Sequence, residues 1–159
     1  MGVGSNLYDL VLVLHILAVI IGFGGTFIAG FYGREASARS GREGLAVAET
    51  TMKVTGLAPT MAVYSVPVLG ILLILLSDDV WKFSDAWISL SFLLYIAILV
   101  IALTLQVPGI RKMIALRTGG EGVRTTEVEA LERRSAVLGG ILNLLWVAVL
   151  ALMVFKPGA

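Results

Sequence analysis

The chain contains one histidine and no cysteine, and those two counts bound most of the chemistry open to it. Without cysteine there is no disulfide framework, no thiolate metal site and no cysteine nucleophile. His15 lies inside a long apolar run, Leu10–Tyr32, about five residues from its outer boundary. An imidazole within a bilayer is costly unless paired, and a neutral imidazole is a common haem or metal ligand. Three uses of His15 stay open: an interhelical hydrogen bond to a hydroxyl or carbonyl, a haem or metal ligand, and proton handling. A b-type haem usually takes a second strong ligand. Met153 is the methionine nearest in depth, and His15 of a second copy would complete a bis-His site. One imidazole without neighbouring Cys or carboxylate cannot fill the three or four positions of a transition-metal cage. Asp9 stands six residues earlier, off the i−3 and i−4 positions that would stack it beside the ring.

The remaining polar groups suggest structure before reaction. Asn143, with Gly139 one turn before it, and Gln106 carry amides that can join helices in lipid, each pairing contributing about 0.6 kcal/mol. Ser77-Asp78-Asp79 and Asp85 make a short acidic loop, read as a charged cap because its carboxylates lack the spacing of a Ca²⁺ or two-metal site. No Asp, Glu, Lys or Arg falls inside the apolar runs. Proton- and ion-coupled carriers usually place an ionisable group near the midplane, so a small multidrug-type exchanger is disfavoured. No catalytic residue is expected, and the reading leans away from an enzyme.

These residues are positioned by four apolar runs, Leu10–Tyr32, Val54–Leu76, Ala86–Val107 and Ala136–Phe155. Each is near the ~20 residues that cross a ~30 Å hydrocarbon layer at ~1.5 Å per residue. With 159 residues, 58% of them hydrophobic, and a mean hydropathy of +0.95, the expected fold is an all-α, integral membrane four-helix bundle. Residues 1–159 form one transmembrane domain. Ten of the twelve Lys and Arg fall in two connectors: Arg34, Arg39, Arg42 and Lys53, then Arg111, Lys112, Arg117, Arg124, Arg133 and Arg134. Only Lys82 and Lys156 lie on the other side. The positive-inside rule therefore puts the connectors in the cytoplasm and both ends of the chain outside. The first run lacks the basic n-region of a signal peptide and reads as a retained helix. The basic excess is what insertion itself demands, so anionic lipid headgroups, not nucleic acid, are the expected partners.

Within the helices, Ala18, Gly22, Gly25 and Ala29 place a small-residue groove on one face of helix one, which should pack centrally. Pro59 and Pro67 each remove an amide and crowd the carbonyl four residues earlier, predicting a bend or opening in helix two. Thr55, Thr60, Tyr64 and Ser65 are the local donors for the freed carbonyls. Helix three should end at Pro108-Gly109. Trp81 and Trp87 flank the acidic loop as headgroup-level anchors. The connectors share a pattern, Arg39-Ser40-Gly41-Arg42-Glu43-Gly44 and Arg117-Thr118-Gly119-Gly120-Glu121-Gly122, which hints at two related helical hairpins. Thr126-x-x-Glu129 has capping-box spacing, and Glu49–Lys53 and Glu129–Arg133 are i,i+4 pairs. Helices two and four should thus extend past the membrane, their charges forming a solvated collar.

The segments Leu14-His15-Ile16-Leu17-Ala18-Val19-Ile20-Ile21-Gly22-Phe23-Gly24 and Asp85-Ala86-Trp87-Ile88, together with the hydropathy layout, resemble a bacterial family of predicted four-span integral membrane proteins of unknown function. That resemblance implies a fold over nearly the whole chain and a place in a bacterial inner membrane. The Leu14-His15 pair is also similar to helix one of HemJ-type protoporphyrinogen oxidases and CopD-like copper-resistance proteins, in which a histidine here is associated with haem or copper. The function expected is that of a non-enzymatic membrane component that associates with itself, as a homo-oligomer, or with a larger complex. The alternatives are a haem-binding redox or haem-handling protein using His15, and a passive channel or lipid or solute translocator through helix two.

Overall fold

The computed structural model describes residues 2–39, 41–119 and 125–158. Helix α1, Asn6–Ala38, starts where the Ser5 hydroxyl accepts the Tyr8 amide at 3.4 Å. Its 33 residues extend ~50 Å, so it runs well past the bilayer and carries Arg34 and Glu35 beyond the apolar run. Then follow α2, Gly41–Val54; α3, Leu57–Leu75; α4, Ala86–Ile101; a wide π-helical turn, Ala102–Gln106; α5, Val107–Gly119; and α6, Thr126–Phe155. Among the described residues four helices are long and apolar enough to cross a membrane, the third being the continuous Ala86–Gly119. Among the described residues there is no strand. The fold is an all-α, four-span membrane bundle.

Helix α1 packs against α2, α3 and α6, and α4 against α6, which gives α1 the central place expected of it. All four spans meet in one core of Ala18, Val66, Tyr95, Ile98, Leu142, Trp146 and Val149. The Trp146 indole stacks on Phe23 at 5.7 Å and takes Tyr95 edge-on at 5.4 Å. A second cluster, Tyr8, Val11 and Leu73, closes the other end with Trp81 packed on it. Outside the core the apolar side chains face away from the protein: Leu93 is 63% exposed and Leu144 72%. In water this belt would drive aggregation, whereas in lipid it faces its own solvent.

Three local expectations are corrected by the structure. The turn before helix two does not extend it: α2 is a separate helix, ended at Thr55-Gly56. Its four charged residues, Arg42, Glu43, Glu49 and Lys53, keep so short a helix out of the hydrocarbon. Helix three does not stop at Pro108-Gly109. The Val107 amide reaches back five residues to the Ala102 carbonyl, so the turn is already wide where Pro108 brings no amide, and α5 continues to Gly119. The cap of α6 is Thr125, not Thr126, because the extended Thr125 backbone (φ −83°, ψ 164°) lets its hydroxyl accept the Val128 amide. Helix α6 does extend beyond the membrane as expected. Trp81 and Trp87 pack edge to face at 5.4 Å, and Trp87 is buried. Ser40, Gly120, Glu121, Gly122 and Arg124, parts of the connector pattern and the basic tally, lie outside the described residues.

Candidate functional site

His15 is buried between α1 and α3. A Cβ on Gly70 would stand 3.5 Å from the ring carbon Cε1 and 3.9 Å from Nδ1, so the imidazole lies against the stretch of α3 backbone that glycine leaves bare. The Val66 backbone is a hydrogen-bonding neighbour of the ring, yet Nδ1 is buried with no partner of good geometry. Met153 packs against the main core instead. Among the described residues no three His, Cys, Asp or Glu side chains are grouped to hold a metal ion.

The small-residue face of α1 is filled from within the chain. A Cβ on Gly22 would come 3.0 Å from Val63 Cγ2, and one on Gly25 would come 2.7 Å from Pro59 Cβ. Ala18 joins the core and Ala29 is half-buried. Pro59 and Val63 are therefore the knobs that α3 seats in this groove, a close approach that only glycine permits. Pro59 lies in the first turn of α3, where its missing amide is one of those left unbonded in any helix, so it sits there as a packing residue and not as a kink.

Pro67 is inside α3, and the acceptor it strands is the Val63 carbonyl. The Tyr95 hydroxyl on α4 donates to that carbonyl. Two of the local donors expected from sequence serve other groups: Thr55 Oγ1 donates to Thr51 O at 2.8 Å and Ser65 Oγ to Met61 O at 2.9 Å. Tyr95 thus occupies the place that the proline would open. A polar group inside lipid has no water to turn to, which is why a hydroxyl from another span fills the vacancy.

The two amides divide their work. Gln106, the last residue of the π-helical turn, donates through Nε2 to Ser135 Oγ at 3.0 Å and Ser135 O at 3.3 Å. A Cβ on Gly139 would lie 3.8 Å from the same nitrogen. Asn143 faces α1, its Nδ2 3.8 Å from where a Gly30 Cβ would be. The Oε1 of Gln106 and the Oδ1 of Asn143 are buried without partners.

A contact absent from the sequence reading joins the arginine-bearing end. The Arg117 side chain is fully buried, and its Nη1 lies 3.5 Å from Glu132 Oε1, itself 5% exposed. The same guanidinium donates to Ala36 O at 3.4 Å and Arg39 O at 3.1 Å. These are carbonyls at the α1 C-terminus, which lack helical partners and carry partial negative charge. A Cβ on Gly44 would collide with the Arg39 and Ala36 carbonyls and with Arg117 Nη2, so α2 closes over the knot. Elsewhere in the collar Lys112 pairs with Glu127 at 2.8 Å, and Glu35 pairs with Arg39. Arg117 and Arg39 are equivalent in the connector pattern but do opposite things, one enclosed and one at the surface. Gly44 was the available signal, yet nothing in the spacing told which arginine it shelters.

The model of one protein family matches residues 9–157, under the description "Predicted integral membrane protein (DUF2269)". The chain belongs to that family. No curated protein matches the chain, and no solved structure does.

Proposed function

We propose that this member of the DUF2269 family is a non-enzymatic membrane scaffold, an accessory component that associates with itself or with a larger membrane complex. The observation that carries this reading is the buried Arg117–Glu132 knot. Spanning the bilayer requires only apolar helices, whereas the knot lies beyond the hydrocarbon and locks α1, α2, α5 and α6 into one arrangement. A desolvated ion pair contributes little net stability and is best attested as a device that fixes a single register. A face held rigid in this way suits docking. By the distribution of arginines that face is cytoplasmic.

The groove that motivated self-association is taken by α3, so the assembling surface is sought on the exposed belt. Because the chain has no cysteine, single cysteines introduced along exposed positions of α1, α4 and α6, such as Ile20→Cys, Leu93→Cys and Leu144→Cys, report contacts without background. Oxidation in native membranes should link at least one face to a second copy or to another protein. A complete scan of exposed positions giving only unlinked chains would contradict the scaffold.

A second reading retains His15 as a ligand, favoured by its burial with no hydrogen bond of good geometry at Nδ1 and by the likeness of the Leu14-His15 pair to HemJ-type and CopD-like proteins. A single copy supplies one imidazole, so a haem would be shared between two copies. Protein purified from its native membrane would then show a Soret band that His15→Ala removes, and a colourless preparation would end this reading.

A further inference from the structure

At the end of the bundle where α1 begins and α6 finishes, two indoles form a corner around a cation. The Trp81 and Trp87 rings stand at 87° with centroids 5.4 Å apart. The Lys156 ammonium lies 4.2 Å from the Trp81 centroid and 5.6 Å from that of Trp87. Both distances are within the ~6 Å over which a ring quadrupole attracts a cation. We propose that the Trp81–Trp87 corner is a binding site for substituted ammonium groups, held in this state by the Lys156 side chain as an internal ligand.

The corner is built in advance of any ligand. Trp81 Nε1 donates to the Tyr8 hydroxyl at 3.2 Å, which fixes the ring against α1. The Trp81 amide donates to Ser77 Oγ at 3.0 Å, and Ser77, fully buried, donates in turn to Ile74 O at 2.8 Å. Trp87 is 6% exposed and cannot rotate away. The surrounding charge favours a cation, since the segment 77–86 carries Asp78, Asp79 and Asp85 against Lys82 alone.

Lys156 is suited to give way. Its backbone is anchored, the amide donating to Leu152 O at 2.9 Å as the cap of α6. The ammonium, on a flexible four-carbon stem, can leave without moving the helix. The corner lies where apolar runs meet a polar loop, the depth at which tryptophans meet headgroups. An ammonium could reach it from a lipid headgroup or from a free solute, and the chemistry recognised is the same.

The chain has three tryptophans, so three indole ¹⁵N–H signals report on the site, with the buried Trp146 as an internal reference. Tetramethylammonium chloride is titrated against a sodium chloride control into wild type, Lys156→Ala and Lys156→Arg, all in a sugar-headed detergent that carries no ammonium. The expected result is a saturable shift of the Trp81 and Trp87 signals in Lys156→Ala, with Trp146 unmoved. Affinity should be about tenfold weaker in wild type and Lys156→Arg, where an internal cation competes. A second arm compares Lys156→Ala in nanodiscs of phosphatidylethanolamine and of phosphatidylglycerol. A shift specific to phosphatidylethanolamine assigns the site to a lipid headgroup, and a response to the free ion alone assigns it to a solute. No saturable shift in either arm, or equal affinity in wild type and Lys156→Ala, would overturn the proposal, whatever the outcome of the cysteine scan.

Discussion

The Tyr95 hydroxyl donates its proton to the Val63 carbonyl, the acceptor left without its helical amide by Pro67. One span therefore completes the backbone of another, and the proline is tolerated because of a tyrosine on a different helix. Tyr95→Phe should strand that carbonyl in an apolar core and cost about 1–3 kcal/mol. Pro67→Ala restores the amide, so the double variant should recover much of the loss. Thermal unfolding of the four proteins of this cycle in mild detergent checks it; additive effects would mean the two residues are not coupled.

Glycine substitutions on α1 should divide by face. Gly25→Val drives a side chain into Pro59, 2.7 Å from where its Cβ would stand, and should separate α1 from α3 at a cost of several kcal/mol, about 3 or more. A Cβ on Gly24 would meet nothing within 4 Å, so Gly24→Val should change stability by less than about 1 kcal/mol. Equal melting shifts for the two variants would contradict the seating of α3 in this groove.

Removing one member of the buried pair should be severe. Glu132→Gln or Arg117→Gln leaves an enclosed charge with a poorer partner and should destabilise by about 3–5 kcal/mol. Arg117→Met with Glu132→Leu removes both charges and should cost less than either single change. Gly44→Ala should act like the single variants, because its Cβ overlaps the Arg39 carbonyl and the guanidinium. Protease susceptibility of the segment 34–56 gives a local readout, and an unchanged cleavage pattern in Glu132→Gln would count against the knot.

Lys53 and Glu49 are solvent-side residues on α2 beside Met52 and Ile114 of α5. No ion pair joins these two side chains among the described residues, and an exposed i,i+4 pair would contribute only about 0.3–0.5 kcal/mol, so Lys53→Ala should leave the melting temperature nearly unchanged. A large loss would show that this face of α2 supports more than a surface pair.

What could be read from the residues follows the range over which their physics acts. The four spans, the central place of α1 and the extension of α6 come from local composition, since lipid admits apolar helices whatever their neighbours. Ala18, Gly22 and Gly25 were legible as a close-packing face, but that their occupant is α3 depends on contacts distant in sequence. Tyr95 sits in a largely apolar run, and its partner becomes visible only when α4 lies beside Pro67. The π-helical turn at Ala102–Gln106 has no compositional mark, so Pro108 looked like a stop. Arg117 was one of six basic residues in its connector, and charge alone does not distinguish the enclosed one from those in solvent. His15 was singled out correctly as buried and polar, its role being left to experiment.

The scaffold reading is tested most directly by the mass of the particle excised from native membrane with its lipid, using a polymer that needs no detergent. The account predicts more than one 16.9 kDa chain per particle, or one chain with a reproducible second protein. Particles holding a single 16.9 kDa chain and nothing else would contradict it.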